Sequence, residues 1–197
     1  MNVREFNRVF GSQPYKINPS EVIADIGSGY SDLSNLVHDG LVIQVDPLYA
    51  ELDSSQLISP DNRVMRVPVA LGSNDDLTRR ALDLISGLKP DRVTMANALR
   101  YIPGNEKVRA LEQMLFLGQG GITQLYPYRS SKSETVVEKG TKLGFNITAQ
   151  KVSLGGLRQA TYALGRINST LTVEPQRKKT GPADRNKLAE LIASHVL

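Results

Sequence analysis

Two carboxylates and two glycines stand close together in one stretch of the chain and could form a site for a ligand that carries a nucleoside. The stretch reads VIADIGSGYSDLSNLVHDGLVIQVDP and spans residues 22–47. Gly27 and Gly29 lack a β-carbon, so the backbone there can take a positive φ or approach a ligand closely. Asp46 ends a second apolar run, and a carboxylate at the end of a strand can accept hydrogen bonds from both hydroxyls of a ribose. The other carboxylate, Asp25, ends the first apolar run.

The elements that must position these residues alternate between strands and helices. Apolar runs predict strands at residues 21–25, 41–45, 64–70, 92–96, 122–125, 145–152 and 158–164. Helical spacing predicts helices at residues 31–37, 48–56, 75–85, 106–117 and 133–143. Such alternation favours parallel pairing with helices on both faces, and the last two strands form a hairpin. We therefore predict a Rossmann-like three-layer α/β sandwich with a mostly parallel seven-stranded sheet and an antiparallel edge strand.

The two ends of the chain are predicted to lie outside this core domain of residues 21–168. Residues 1–20 form an N-terminal helical cap, whose apolar face either covers a ligand or packs on the sheet. Residues 169–184 lose apolar periodicity and carry proline, glycine and a basic cluster, which indicates a linker. Residues 185–197 form an amphipathic helix, which docks on its own domain or makes a homodimer with a second copy.

The position of the glycine turn indicates which cofactor it could hold. Ligands of open parallel sheets bind beyond the carboxyl ends of the strands, and the helix predicted after the turn would present unpaired N–H groups there. A nicotinamide dinucleotide requires a third glycine where Asp32 stands, and an anion there would repel the pyrophosphate. A cofactor with a cationic end suits Asp25 and Asp32 better. An NAD-dependent oxidoreductase remains the alternative.

The same residues resemble a known family. Asp25-Ile26-Gly27-Ser28-Gly29-Tyr30-Ser31 is similar to the D-x-G-x-G-x-G/S turn of class I S-adenosylmethionine-dependent methyltransferases, and Gln44-Val45-Asp46-Pro47 is similar to their acidic motif after the second strand. The resemblance covers residues 22–168 and implies S-adenosylmethionine as the cofactor. It implies the following cofactor-binding residues: Asp25 at the amino acid end, Gly27, Gly29 and Tyr30 in the turn, Asp46 and Pro47 at the ribose, Ala70 and Leu71 near adenine, and Asn97 near the methionine part or the substrate.

The methyl acceptor is not specified by the sequence. The segment MANALRYIP after the fourth strand departs from the Asn/Asp-Pro-Pro-aromatic signature of enzymes that methylate base amines or glutamine amides. No Lys-Asp-Lys-Glu set for ribose methylation is recognisable, and no cysteine exists for attack on cytosine. A small-molecule acceptor is favoured, and no catalytic residue is assigned. Candidates for acceptor binding are Arg100, Tyr101, Tyr126 and Tyr128, although each could instead serve to cover or pack the sheet.

Composition excludes several other classes of protein. The 197 residues include no cysteine and two histidines, so thiolate sites are excluded and we expect no metal. No apolar run is long enough for a membrane span, and no signal peptide begins the chain, so we expect a cytoplasmic protein. The net charge of +4 and the cluster Arg177-Lys178-Lys179 leave open a non-catalytic protein of methyltransferase fold that contacts RNA.

Overall fold

A seven-stranded sheet forms the centre of the protein. The computed structural model describes residues 3–29, 31–152, 168–174 and 181–195. Its strands are β1 (Val22–Ile26), β2 (Leu41–Val45), β3 (Val64–Val67), β4 (Arg92–Ala96), β5 (Ile122–Arg129), β6 (Asn146–Lys151) and β7 (Asn168–Glu174). Their order is β3-β2-β1-β4-β5-β7-β6. The first five strands are parallel, and β7 is antiparallel to both of its neighbours. The predicted Rossmann-like α/β class is confirmed. The antiparallel strand is β7, which lies next to the edge strand β6.

Helices cover both faces of this sheet. They are α1 (Val3–Phe10), α2 (Asp76–Gly87), α3 (Lys107–Leu117), α4 (Ser130–Lys142) and α5 (Pro182–Ala193). Successive side chains of a strand point to opposite faces, so Ile43 joins the larger core, which includes residues of α2 to α5, whereas Val42 joins a smaller core with α1. Asp75 caps α2, since its carboxylate accepts a hydrogen bond from the Thr78 amide at 2.7 Å. None of the helices in the described residues is long and apolar enough to cross a bilayer.

The helices predicted at residues 31–37 and 48–56 are wrong. The first is a single 3-10 turn, Leu33–Asn35, and the second is a pair of 3-10 turns, Pro47–Glu51 and Ser54–Gln56. Short helices are marginal in water, and their stability comes mostly from packing. Leu33 and Val37 are fully buried against α1 without a regular helix between them. The apolar spacing of this segment is thus satisfied by packing in a loop.

The linker predicted from residue 169 is also wrong in its first part, because β7 occupies residues 168–174. The sequence STLTVE has few apolar residues, but threonine and valine fit a pleated strand well. The hydroxyls buried there have partners: Thr170 donates to the Val9 carbonyl at 2.9 Å, and Thr172 accepts from Gln124 at 3.3 Å. Apolar periodicity alone therefore missed a strand near the middle of this half of the sheet. The strand predicted at residues 158–164 and the basic cluster at 177–179 lie outside the described residues.

The C-terminal helix docks on its own chain. α5 begins at Pro182, earlier than predicted, and buries Leu188, Ala189 and Ile192 in the larger core beside α3. This settles what covers the apolar face, for which the sequence also allowed a second copy of the chain.

Arg92, at the start of β4, holds the N-terminal segment against the sheet through an ion pair and several hydrogen bonds. Arg92 is only 2% exposed. Its guanidinium forms an ion pair with Glu21 (Nε to Oε2, 2.8 Å) and donates to the carbonyls of Phe10 (2.8 Å), Tyr15 (3.2 Å) and Lys16 (3.2 Å). A buried charge is tolerated when it is paired and hydrogen-bonded in this way. The contacts fix α1 and the segment after it on the sheet, where Phe6 reaches the cavity described below.

Candidate ligand-binding site

A cavity of about 510 Å³ opens at the carboxyl ends of β1, β2, β3 and β4. This is the end at which open parallel sheets bind ligands. Seven of the predicted cofactor-binding residues line it: Asp25, Gly27, Asp46, Pro47, Ala70, Leu71 and Asn97. Gly29 supports the wall without lining it, and Tyr30 lies outside the described residues. The fold therefore gathers residues from four separate strand ends around one space.

The glycine turn after β1 needs glycine for two different reasons. Gly27 and Gly29 both have positive φ, +66° and +53°. A β-carbon on Gly27 would also lie 2.2 Å from the β-carbon of Ala98, in the loop after β4, whereas one on Gly29 would meet nothing within 4 Å. The conformation thus favours glycine at both positions, and close packing against the β4 loop demands it at Gly27.

Asp46, the last residue before the Pro47–Glu51 turn, faces the cavity and holds the glycine turn. Its Oδ2 accepts a hydrogen bond from the Gly29 amide at 2.9 Å, and its Oδ1 accepts one from the Leu48 amide at 3.0 Å. The residue is 8% exposed. A carboxylate offers about four lone-pair sites, so each oxygen keeps capacity for a further donor from the cavity.

Beneath the turn lies a set of hydrogen bonds that the sequence did not predict. The Tyr49 hydroxyl donates to the Gly29 carbonyl and lies 2.9 Å from the Ser28 hydroxyl. The Gln44 amide donates to the Ser31 carbonyl at 2.6 Å. Tyr49 is 2% exposed, and its burial raises its pKa. β2 and the turn that follows it therefore hold Ser28, Gly29 and Ser31 in place.

Asp25 places a buried carboxyl group at the cavity floor. Its Oδ1 accepts a hydrogen bond from the Thr94 hydroxyl at 2.9 Å. Burial disfavours the charged form and raises the pKa of Asp25 to about 6, although the hydrogen bonds from Thr94 and Ser31 partly oppose this. A cationic group in the cavity would stabilise the carboxylate form, so the site favours positive charge beside Asp25.

The loop after β4 forms a further wall of the cavity. Asn97 takes a positive φ of +61°, which asparagine tolerates better than most residues. Its backbone N–H donates to the Tyr126 carbonyl at 2.7 Å. Arg100 lies over the Tyr101 ring at 4.7 Å and donates to the Tyr101 hydroxyl at 2.6 Å. Both line the cavity, and Tyr101 is 74% exposed at its edge.

The two tyrosines on β5 do not line this cavity. Tyr126 is buried in the smaller core with Phe6 and Val9, and Tyr128 is buried in the larger core. The Tyr128 hydroxyl has no hydrogen-bond partner among the described residues, and burial raises the pKa of Tyr128. Both side chains are packed in the cores, which is the alternative to acceptor binding that the sequence left open for them. Four residues outside the predicted set line the cavity instead at positions that could contact a ligand: Phe6, Ser28, Ser31 and Glu106.

Comparison with known proteins places the fold. No protein-family model and no curated protein matches the chain. Among solved structures, StiE O-MT (residues 961–1257) is 14% identical, with a TM-score of 0.55 over 98% of this chain and 79% of that one. The Burkholderia thailandensis 1,6-didemethyltoxoflavin-N1-methyltransferase, with 1,6-didemethyltoxoflavin and S-adenosylhomocysteine bound, is 15% identical, with a TM-score of 0.51 over 80% and 72%. The methyltransferase domain of bacterial CtHen1-CN is 14% identical, with a TM-score of 0.50 over 79% and 90%.

These likenesses establish the architecture of the chain. The chain shares the fold of these three methyltransferase structures. At such low identity the likeness extends to the fold alone.

Proposed function

We propose that this protein binds S-adenosylmethionine and transfers its methyl group to a small-molecule acceptor. The observation that carries the proposal is the position of Asp46. Its carboxylate faces the cavity beside the glycine turn, with one backbone amide on each oxygen. The remaining lone pairs suit two neighbouring hydroxyls such as those of a ribose.

The charges around the cavity fit this cofactor. S-adenosylmethionine carries a sulfonium, an ammonium and a carboxylate, with an adenosine and no phosphate. Asp25 and Asp46 both line the cavity, and a carboxylate near a cation is stabilised by it. The pairing of a cationic amino acid end with Asp25 is therefore favourable.

The same features disfavour a nicotinamide dinucleotide. Its pyrophosphate would lie near two carboxylates, and it needs a helix whose first N–H groups point at the phosphates. The segment after the glycine turn is a 3-10 turn of three residues, Leu33–Asn35, in place of that helix. The alternative of an oxidoreductase thus loses both its electrostatic and its structural support.

The chemistry asked of the protein is chiefly one of position. Bound S-adenosylmethionine supplies an activated methyl group with a good leaving group, so orientation of the acceptor can account for much of the rate. No histidine, lysine or cysteine lines the cavity as the described residues form it. The acceptor is then one that needs no base stronger than a carboxylate, or that has lost its proton beforehand. Asn97 and Arg100 are the polar groups best placed to orient it, and the volume of about 510 Å³ suits small ligands.

Isothermal titration calorimetry with S-adenosylhomocysteine tests the proposal. We expect saturable one-to-one binding by the folded protein and no binding of NAD under the same conditions. Absence of binding by protein that melts cooperatively would contradict the proposal, and preference for NAD would restore the alternative.

A further inference from the structure

Arg100 differs in charge from every other ionisable group at the cavity. Of the described residues that line it, three are carboxylates, Asp25, Asp46 and Glu106, and Arg100 is the one cation. We propose that Arg100 binds the methyl acceptor and that the acceptor carries an anionic group, a carboxylate or a phosphate. This inference rests on the proposed function.

The order of the strands indicates which part of the cavity is left for the acceptor. With the ribose at Asp46, after β2, and the amino acid end at Asp25, on β1, the cofactor lies across the ends of two neighbouring strands. The base is attached to the opposite side of the ribose and extends towards β3. The strand on the other side of β1 is β4. The loop after β4, which carries Arg100, therefore borders the space that the cofactor leaves.

A short turn, Leu99–Tyr101, holds Arg100 at the edge of the cavity. Leu99 is 4% exposed and anchors the turn in the larger core. The Arg100 guanidinium lies 4.7 Å from the centre of the Tyr101 ring and donates to the Tyr101 hydroxyl at 2.6 Å. A cation over an aromatic ring is attracted by its π electrons, so the two side chains support each other's position.

The charge of Arg100 is not neutralised by the part of the chain that the structure describes. No described carboxylate forms an ion pair with it, although three line the same cavity. The Tyr101 hydroxyl takes one of its five N–H donors. The remaining donors form a planar fork that matches the oxygens of a carboxylate or a phosphate.

The three carboxylates make this cation necessary for an anionic acceptor. An anion that enters a cavity lined by carboxylates is repelled by them unless a cation lies close to it. Arg100 supplies that cation on the side of the cavity that the cofactor leaves free. It therefore sets the charge of the acceptor that this space can hold.

The cofactor's own carboxylate is the other anion that must be placed. It shares one carbon atom with the ammonium group, so it lies close to Asp25. Asp25 is 4% exposed at the cavity floor, whereas Arg100 is exposed and Tyr101 is 74% exposed at the edge. The difference in depth favours the acceptor as the partner of Arg100.

Small aromatic probes test this inference on protein saturated with S-adenosylhomocysteine. Benzoate and phenyl phosphate carry the two anions, benzamide is a neutral compound of the same shape as benzoate, and benzylamine is a cation. Titrations followed by NMR give the dissociation constants. We expect at least one anion to bind about fivefold to tenfold more tightly than benzamide and benzylamine, an effect limited by the exposure of Arg100. The tighter of the two anions identifies the acceptor's group.

Three variants assign the preference to Arg100. Arg100→Gln should bind the anions and benzamide equally. Arg100→Lys should keep part of the preference, because it retains the charge and loses the planar fork. Arg80→Gln, at an exposed position on α2 that does not line the cavity, is the matched control and should keep the native preference. Thermal melts confirm that each variant is folded.

The outcomes separate this inference from the proposed function. If neither anion binds more tightly than benzamide and benzylamine, or if Arg100→Gln keeps the preference, the role of Arg100 is overturned and the proposed function stands. If folded Arg100→Gln loses its affinity for S-adenosylhomocysteine, Arg100 holds the cofactor's carboxylate, and its role towards the acceptor is again overturned. If the folded native protein binds no S-adenosylhomocysteine, the proposed function fails, and the inference fails with it.

Discussion

The Oδ2 atom of Asp46, at the end of β2, accepts a hydrogen bond from the amide of Gly29, in the turn after β1, at 2.9 Å. This contact joins two strand ends that the sequence separates, and the Asp46 residue that makes it also lines the cavity. The same side chain thus shapes the turn and presents the acceptor that the proposed cofactor requires.

Asp46→Ala should weaken binding of S-adenosylhomocysteine by about a hundredfold or more, because two hydroxyls lose a charged acceptor. The measurement is calorimetric titration of native and variant protein, with thermal melts to confirm folding. Asp83→Ala, at an exposed position on α2, is the control and should bind like the native protein. Native affinity in a folded Asp46→Ala protein would show that the carboxylate does not contact the ligand.

Tyr49→Phe should weaken ligand binding by about fivefold to tenfold, since the Gly29 carbonyl loses its buried donor and the turn loosens. Tyr15→Phe is a matched control, because the Tyr15 hydroxyl also bonds to side chains, Thr148 and Glu174, but far from the cavity. Both variants should lose some stability to urea, and only Tyr49→Phe should lose affinity. Equal affinities for the two would mean that the turn does not need this support.

Gly27→Ala and Gly29→Ala form a matched pair of substitutions. Both place alanine at positive φ, which costs on the order of 1–2 kcal/mol. Only at Gly27 does the new β-carbon collide with Ala98, so Gly27→Ala should lower the free energy of unfolding more and close part of the cavity. Urea unfolding and ligand titration of the two variants give the comparison. A larger loss for Gly29→Ala would contradict the packing described here.

Asp25 should make the protein less stable as the pH rises from about 4 to 6. Burial raises the pKa of Asp25 to about 6 in the folded state, so the folded state binds the proton more tightly than the unfolded chain does. This favourable contribution is present in full below the unfolded pKa, and it is lost as the pH passes through the folded pKa. The difference is on the order of 3 kcal/mol.

Asp25→Asn tests this assignment, because asparagine keeps an acceptor for Thr94 and does not titrate. Urea unfolding of both proteins across this pH range should show a stability difference that grows with pH in favour of the variant. Parallel curves for the two proteins would exclude Asp25 as the source. Native affinity for S-adenosylhomocysteine should also rise over the same range, as the carboxylate becomes available to its ammonium group.

Glu21→Gln should destabilise the protein by about 3 kcal/mol, because it leaves the buried Arg92 guanidinium without its counter-charge. Glu138→Gln provides the control, since Glu138 pairs with Lys142 on the exposed surface of α4 and such pairs contribute little. Urea unfolding at neutral pH measures both. A similar small effect for the two substitutions would show that the carbonyls around Arg92 suffice to hold its charge.

The fold class could be predicted from the sequence because its elements depend on local patterns. Buried parallel strands are continuous apolar runs, and such runs predict five of them, with α2 and α3 between them and α4 after the fifth. Pro68, just after β3, cannot donate a hydrogen bond to a neighbouring strand, which suits the edge position of β3. Asp75, the N-cap of α2, is of a residue type that is preferred at this position. Each of these features is set by residues near one another in the chain.

The same distinction applies to the candidate site, where local sequence patterns indicate some of the residues and not others. The glycine turn and Asp46 stand out in the sequence because the backbone conformation and a strand-end carboxylate leave local signals. The contribution of Tyr49, Gln44 and Glu106 has no such signal. Tyr49 and Gln44 contact the turn after β1, and Glu106 lies beside Gly72 in the loop after β3. A polar residue in a loop or at a helix end has many ordinary explanations.

The sequence by itself determined the alternation of strands and helices, the carboxylates Asp25 and Asp46 of the cavity, and the need for glycine in the turn after β1. Tertiary structure decided the rest. Residues 168–174 form a strand because pairing with β5 on one side and β6 on the other satisfies the backbone groups and the side-chain hydroxyls of these residues. Tertiary structure also buried Tyr126 and Tyr128 in the two cores, and it brought Glu106 to the cavity beside Gly72. These outcomes depend on contacts between distant segments, and the free energy of such contacts is not written in the pattern of any one segment.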